Sequence, residues 1–352
     1  MAPNMAAAEM SLEGHGFNQP ASPRKQVGHI HNFRGLAAVF IVATHTISVF
    51  DWSSAPTLER ALKYCFANGT LFFLFISGYL FEYLSDGYRA MPYWRKKALY
   101  VVLPYVLMSL PAVYFFTTGV RREEVRTGFY DQADWVQVLE FLGTGVHLAP
   151  FWFIPTVVMF FVATPLLIRL FRADRAFLLL PVLFAIPVFV LRGPNPALNF
   201  LHFLPIWVMG MACCRFRASV EPLLSQFVWP LAGLTIALAI AEFLFTKGTH
   251  GYLGYVQKAV MTVFLMAVML RLGDAADPSL RTWGALSFGL YFVHSYVITA
   301  GKYLIGSLAG GQPPGNIAVW LLASAIAVAT SGLVVKLTQR LLGRNSRLVI
   351  GV

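Results

Sequence analysis

Ten stretches of about 20 mostly apolar residues recur along the chain, and no other sequence feature restricts its fold as strongly. They lie near 34–50, 66–84, 98–118, 151–168, 176–191, 197–214, 226–245, 253–271, 284–304 and 317–336. A helix of about 20 apolar residues crosses the hydrocarbon core of a bilayer. Backbone groups in lipid must be hydrogen-bonded internally, so stretches of this kind fold as helices. The pattern predicts an all-α, polytopic membrane bundle of about ten transmembrane helices.

The composition excludes other classes of protein. Charged residues make up 12% of the chain and hydrophobic residues 57%. Soluble domains carry about 25% charged residues, so this chain has too few to cover a water-facing surface. The three cysteines are too few for a disulfide framework and lack the paired spacing of a zinc site. We therefore expect the lipid bilayer to be its main partner and expect no metal.

The positions of the basic residues predict the orientation. Cytoplasmic segments of membrane proteins are enriched in Lys and Arg. If both termini are cytoplasmic, eighteen of the 27 basic residues fall on the inner side. We therefore predict a multi-pass protein of the plasma (inner) membrane with both termini inside. The net charge of +11 follows from this topology, and we expect no nucleic-acid partner.

The ends of the chain differ from its middle. Residues 1–30 are rich in small and polar residues and lack the apolar core of a signal peptide. We predict a disordered cytoplasmic tail over 1–30, one membrane domain over 31–342 and a cytoplasmic C-terminal tail over 343–352. The long loop near 119–150 is expected on the outer side.

Ionisable residues within the predicted helices are the first candidates for function, because such residues are costly in a membrane and face the bundle interior. Arg34 and His45 are eleven residues apart in the first helix, which places them on one face and about 16 Å apart. His294 has a similar depth, about 15 Å from the cytoplasmic start of its own helix. The two histidines are expected to share a polar layer, with Tyr291 one turn before His294.

Each candidate also has a simpler interpretation. His45 is compatible with a histidine that is hydrogen-bonded for packing alone. Ser77 and Gly78 are typical of a notch between packed helices, and no nucleophile elbow surrounds Ser77. Lys96 and Lys97 are compatible with a positive-inside anchor. The occurrence of all these residues in one chain favours the functional interpretation over the simpler ones.

Four stretches in sequence order carry a resemblance to a known family. They are Phe33–Ala38 followed by His45, Phe72–Leu80, Phe151–Pro155 and Leu286–His294. In these stretches the chain resembles the integral-membrane acyltransferase-3 family, whose opening helix carries an arginine and a histidine separated by ten residues. It departs from the family pattern at His31, where members often have an acidic or amide residue, and at Val101, where many have a basic one.

The resemblance implies that 31–342 is a membrane acyltransferase domain. Such a domain moves an acyl group, most often acetyl, from cytoplasmic acyl-CoA to a hydroxyl of an extracytoplasmic glycan or related acceptor. Acetyl-CoA is the expected donor substrate. The acceptor, the length of the acyl chain and the oligomeric state stay open.

Acyl transfer needs a base, a holder for the polyanionic donor and stabilisation of the oxyanion. Histidine suits the first role because its pKa lies near neutrality, so His45 is expected to act as the base or as a transient acyl carrier. A guanidinium binds phosphates with a bidentate fork. Arg34, helped by Lys96 and Lys97, is therefore expected to hold coenzyme A.

The remaining candidates are assigned to the acceptor. His294 and Tyr291 are expected to orient it or to stabilise the charge that develops in the reaction. Trp152 and Phe153 lie near the outer end of their helix, where they suit stacking against a sugar ring. Ser77 is the third predicted substrate-binding residue.

Two other functions fit the composition. A secondary transporter or flippase of a lipid-linked sugar or small molecule would also carry buried histidines, although no half-to-half similarity of the kind common in transporters is visible. A structural subunit with a degenerate site is the second alternative, which the intact pair of Arg34 and His45 disfavours.

Overall fold

The computed structural model of the chain describes residues 27–248, 251–273 and 278–352, and within these ranges the regular structure is helical. The α-helices are α1 Gly28–Thr46, α2 Pro56–Phe66, α3 Thr70–Leu84, α4 Ala90–Lys97, α5 Leu103–Thr118, α6 Asp134–Thr144, α7 Phe153–Leu170, α8 Leu180–Leu183, α9 Ile186–Phe189, α10 Pro196–Arg215, α11 Arg217–Gln226, α12 Val228–Phe245, α13 Tyr252–Leu272, α14 Pro278–Ala309, α15 Ile317–Leu342 and α16 Ser346–Val349. A π-helical turn, Ala98–Val102, joins α4 to α5.

The predicted all-α, polytopic fold is confirmed. Among the described residues, eight helical segments are long and apolar enough to cross a membrane. They are Gly28–Val49, Pro56–Gly87, Ala90–Thr118, Phe153–Leu170, Pro196–Arg215, Val228–Phe245, Tyr252–Leu272 and Ile317–Val349. The predicted ninth span lies within α14, which has 32 residues.

The fifth predicted span, 176–191, is wrong as a continuous helix. A 3₁₀ segment, Asp174–Leu179, leads into the two four-residue helices α8 and α9. Each of these short helices has a proline in its first turn. Proline lacks the backbone donor that would continue a preceding helix and its ring clashes with the preceding turn, so the segment breaks at both positions.

The broken segment nevertheless runs alongside most of α10. At one end, Arg215 Nε donates to Asp174 Oδ1 at 2.8 Å. At the other end, the backbone amide of Gly193 donates to Asn199 Oδ1 at 3.0 Å. Asn199 and Arg215 are separated by about 24 Å along α10. The segment therefore crosses the bundle without forming one helix.

Helices α1 and α14 pack closely and run in the same direction. His31 Nε2 lies 2.9 Å from the carbonyl oxygen of Arg281 near their starts, and the amide of Asp51 donates to Pro313 at 2.9 Å beyond their ends. A β-carbon at Gly35 would lie 2.5 Å from the carbonyl oxygen of Leu280. This contact brings Arg34 and His45, both on α1, against α14.

The two described ends of the chain lie at one end of the bundle. Near the start of α1, His29 Nε2 is 3.5 Å from Glu221 of α11. At the C-terminus, the Arg347 guanidinium lies 4.2 Å from the ring centre of Tyr100 in the π-helical turn, and Ile350 is buried. We call this the inner end, since the basic residues predict that it faces the cytoplasm, and the opposite end the outer end.

The structure describes the two predicted tails to different extents. Most of the N-terminal tail, 1–26, lies outside the described residues, and α1 begins at Gly28, before the predicted boundary. Residues 343–352 form a 3₁₀ turn and α16, and they pack against α5 and α14.

Candidate active site

His45 and His294 come together in the bundle. His45 lies in the last turn of α1 and His294 in the middle of α14, and their ring centroids are 5.3 Å apart. His294 is completely buried, whereas His45 is partly exposed. His45 is therefore the more accessible member of the pair.

The hydrogen bond of His294 fixes its tautomer. Its Nδ1 lies 2.9 Å from the carbonyl oxygen of Leu290. A carbonyl oxygen only accepts hydrogen bonds, so Nδ1 carries the proton, and Nε2 of the neutral ring keeps its lone pair. Nε2 is buried without a hydrogen-bond partner, and the His45 ring has no hydrogen bond to a described residue. The pair therefore has free basic nitrogen available.

A group of basic residues without carboxylate partners lies toward the inner end. Arg34 Nη2 donates to Ser287 Oγ at 3.0 Å, and Ser287 Oγ donates in turn to the carbonyl oxygen of Gly284 at 2.9 Å. Lys97 Nζ lies 4.4 Å from the ring centre of Phe161 and close enough to Arg34 for the two charges to repel. Among the described residues, neither forms a salt bridge.

Lys96 differs from Lys97. Its side chain is exposed on the outside of α4 and forms no salt bridge with the described part of the chain. It is therefore farther from the packed interior than the other two predicted donor-binding residues.

A narrow cavity lies between Ser287 and His294. Its lining includes Ala38, Val42, Ser287 and His294, and in this structure it is too narrow to hold a water molecule. Ser287 is the hydrogen-bond partner of Arg34. Two helical turns, about 10 Å, separate Ser287 from His294. We call this the inner cavity.

Tyr291 also lines the inner cavity, but its hydroxyl proton is already engaged. The hydroxyl donates to the carbonyl oxygen of Pro150 at 2.6 Å, and the ring lies 6.3 Å from that of His294. Phe153 packs edge-on against the Tyr291 ring at 5.9 Å. Tyr291 thus ties α14 to the segment before α7, while its predicted role toward the acceptor stays a prediction.

A second polar group lies on the outer side of the histidines and was missed in the sequence. Arg192 Nη1 donates to Asn68 Oδ1 at 3.1 Å, and its guanidinium carbon lies 4.1 Å from the ring centre of Trp152. The Arg192 charge also acts on the His45 ring. An arginine that directly follows a proline-broken apolar segment is the signal that would have identified it.

The structure places Ser77 beside a helix contact. It is partly buried in α3 and lines neither the inner cavity nor the cavity around Arg192. Its neighbour Gly78 touches the backbone of Trp207 in α10, where a β-carbon would lie 2.1 Å from the carbonyl oxygen. The helix-packing interpretation therefore holds for Gly78, and substrate binding by Ser77 stays a prediction.

A comparison with protein families assigns the chain to one of them. A family model described as an acyltransferase domain, acyltransferase-3, matches residues 28–336. The chain belongs to the acyltransferase-3 family. The predicted family and enzyme class are thereby confirmed, and the protein is a membrane acyltransferase whose matched region contains both histidines and Arg34. No protein of curated function and no solved structure matches the chain.

Among the described residues of this acyltransferase, no three His, Cys, Asp or Glu side chains form a cluster that could hold a metal ion. The chemistry available at the site is that of two imidazoles, a guanidinium on each side and an aromatic wall. General-base catalysis and charge stabilisation are steps for which groups of this kind are suited.

Proposed function

We propose that the protein is an O-acyltransferase of the plasma (inner) membrane. It transfers an acyl group, acetyl in the commonest case, from cytoplasmic acyl-CoA to a hydroxyl of an extracytoplasmic glycan or related acceptor. The single observation that carries the proposal is the row of contacts along α1 and α14, in which Arg34 bonds to Ser287 and His45 lies against His294.

Arg34 and Lys97 hold the donor. Both are cations without carboxylate partners among the described residues, and the phosphates of coenzyme A supply the missing negative charge. Lys96, exposed on the same side, adds long-range attraction. With the nucleotide at the inner end, the thioester arm enters the inner cavity, which has to widen to admit it, and brings its carbonyl toward His294.

His45 acts as the base in the simplest version of the reaction. Its free nitrogen takes the proton of the acceptor hydroxyl while the hydroxyl oxygen forms a bond to the thioester carbonyl carbon. The tetrahedral intermediate then collapses, the carbon–sulfur bond breaks, and the imidazolium returns its proton to the leaving thiolate. The Nε2 lone pair of His294 stabilises the imidazolium between these two steps.

A two-step version uses His45 as acyl carrier. The His45 nitrogen attacks the thioester carbonyl carbon, the carbon–sulfur bond breaks, and the leaving thiolate takes the N–H proton of the acylated ring. The acceptor hydroxyl then attacks the acyl carbon, the carbon–nitrogen bond breaks, and the hydroxyl proton passes to the departing His45 ring, which becomes neutral imidazole again. The same residues serve both versions. Trp152, Phe153 and Ser77 are assigned to the acceptor, with Tyr291 orienting the segment that carries the two aromatic residues.

The proposal is tested with the purified protein in lipid vesicles, given acyl-labelled acetyl-CoA on the inner-end side and a polysaccharide on the other. We expect label on the polysaccharide and release of free coenzyme A in equal amounts. Movement of unmodified sugar across the vesicle membrane without transfer of label would contradict the proposal and favour a transporter.

A further inference from the structure

A second cavity lies on the outer side of the histidines, and the proposed reaction does not yet use it to bind a ligand. It is open on one side, and its lining includes Asn68, Arg192, His202, Phe203 and Tyr255. We call it the outer cavity. Its lining combines one guanidinium, two other polar side chains and two aromatic rings.

Arg192 is the unusual member of this lining. Its contacts are the amide oxygen of Asn68 and the Trp152 ring, and no carboxylate of the described residues forms a salt bridge with it. Two arginines of the outer loop, by contrast, find glutamates: Arg122 with Glu124 at 2.7 Å and Arg126 with Glu140 at 2.9 Å. Burying a guanidinium without a counter-ion has an unfavourable free energy. An anion that enters the cavity would therefore lower the free energy of the site.

The number of donors supports the same conclusion. A guanidinium has five N–H donors in a planar fork that matches carboxylate and phosphate oxygens. Asn68 accepts one hydrogen bond from Arg192, and the ring of Trp152 accepts none of the conventional kind. Donors therefore remain for a ligand.

Aromatic residues form the wall of the cavity beside Arg192. Trp152 stacks on Phe203 with centroids 5.8 Å apart, and Phe203 stacks on Tyr255 at 6.5 Å. Phe203 and Tyr255 are buried, whereas Trp152 is partly exposed and is available to the apolar face of a sugar. The cavity thus matches an anionic group that is carried by a sugar.

We propose that the outer cavity binds a carboxylate or phosphate of the acceptor through Arg192, so that the enzyme acylates acidic glycans in preference to neutral ones. This inference rests on the proposed function and specifies its acceptor class.

The kinetic test compares matched acceptors. Acyl transfer is measured to a polymer of glucuronic acid, to the same polymer after reduction of its carboxyl groups, and to a phosphate-bearing glycan. The wild-type enzyme should prefer one of the two acidic acceptors, which also tells carboxylate from phosphate. Arg192→Gln should raise the KM for that acceptor about 10–100-fold, the range expected for loss of charged hydrogen bonds, and should leave the KM for acyl-CoA unchanged.

Two further variants test whether the effect is specific to the guanidinium of Arg192. Arg192→Lys keeps the charge without the fork and should recover part of the preference. Arg121→Gln removes an exposed outer arginine whose described contact is the Tyr130 ring, and it should leave the preference intact. An equal loss toward acidic and reduced acceptors in Arg192→Gln, or no preference in the wild-type enzyme, would overturn the inference.

A binding readout separates this inference from the proposed function. Glucuronate or glucose 6-phosphate, but not glucose, should raise the thermal transition of the purified wild-type protein and not that of Arg192→Gln. Acid-specific stabilisation without any acyl transfer would support the anion site and contradict the proposed reaction. Absence of acid-specific stabilisation in the wild-type protein would count against the site even if transfer occurs.

Discussion

His45 and His294 lie with their ring centroids 5.3 Å apart, although one belongs to the first helix and the other to α14. The accessible ring is that of His45 and the buried ring is that of His294. Because His294 Nδ1 is engaged with Leu290, its Nε2 lone pair is the group that can act on a protonated neighbour. The two side chains are therefore expected to work as a unit.

A double-mutant cycle tests this unit. His45→Ala should reduce kcat about 10²–10⁴-fold, as expected for removal of a general base, and His294→Ala should reduce it by a smaller factor. The double variant should be no slower than His45→Ala, since the second ring has no partner left to stabilise. The measurement is transfer of labelled acyl groups by purified protein.

The control for this cycle is the amount and thermal stability of each variant. All three proteins should insert and accumulate like the wild type. Losses that multiply across the two sites would mean that the rings act independently. Full activity in His45→Ala would remove this residue from the mechanism.

Donor binding makes a separate prediction. Arg34→Gln and Lys97→Gln should raise the KM for acyl-CoA about 10–100-fold, because each removes a charged contact with phosphate. Lys96→Gln should have a smaller effect, since Lys96 is exposed. The acceptor KM should not change in any of the three.

An acyl-pantetheine donor is the matched control for this prediction, because it lacks the nucleotide phosphates. Wild type and Arg34→Gln should use it with equal efficiency. If the variant were as impaired with acyl-pantetheine as with acyl-CoA, Arg34 would act on the thioester or on the structure of α1 and not on the phosphates.

The features that could be predicted from the sequence are those that depend on helical periodicity. Arg34 and His45 share a face because eleven residues are close to three helical turns. This relationship holds within a single helix. The predicted depth of His294 assumes a helix start near Gly284, whereas α14 begins at Pro278. The two histidines still meet because α1 also begins earlier than predicted, at Gly28. The all-α bundle follows from the same local rule, since each apolar stretch satisfies its backbone within itself.

The parts that could not be predicted depend on contacts between distant segments. Proline is tolerated in many membrane helices, and α5, α7 and α10 contain one without breaking. The sequence alone does not show which prolines end a helix, and in 176–191 the helix breaks at Pro181 and Pro187. Arg192 has partners in two other segments, Asn68 and Trp152, so its role cannot be read from its neighbours in sequence.

The crossing of α3 and α10 predicts a steric effect at Gly78. A β-carbon there would lie 2.1 Å from the Trp207 carbonyl oxygen, so the helices would have to separate. Gly78→Ala should destabilise the protein by about 1–3 kcal/mol, the usual cost of overpacking, and lower its thermal transition in detergent. Gly233→Ala in α12, where nothing lies within 4 Å, should be neutral or slightly stabilising. Equal effects of the two variants would contradict the close contact.

The outer loop contains a buried histidine that links it to the bundle. His147 is completely buried, its Nδ1 lies 3.0 Å from the carbonyl oxygen of Phe141, and its Nε2 lies 2.9 Å from Ser109 Oγ of α5. Burial lowers the pKa of His147 to about 4, with the nearby Arg122 charge acting in the same direction. The folded segment therefore requires the neutral ring.

This requirement predicts that the loop loosens in acid. An unfolded histidine has a pKa of about 6.5, so the His147 contribution to stability is complete above that pH. It is lost progressively as the pH falls toward 4, because the unfolded state binds the proton more tightly. Protease cleavage within 119–150 should accelerate between pH 7 and pH 5. His147→Gln keeps a side chain that can hydrogen-bond but does not titrate, so its cleavage rate should change much less over that range. An identical pH response in the variant would assign the effect to other groups, such as the Arg126–Glu140 pair.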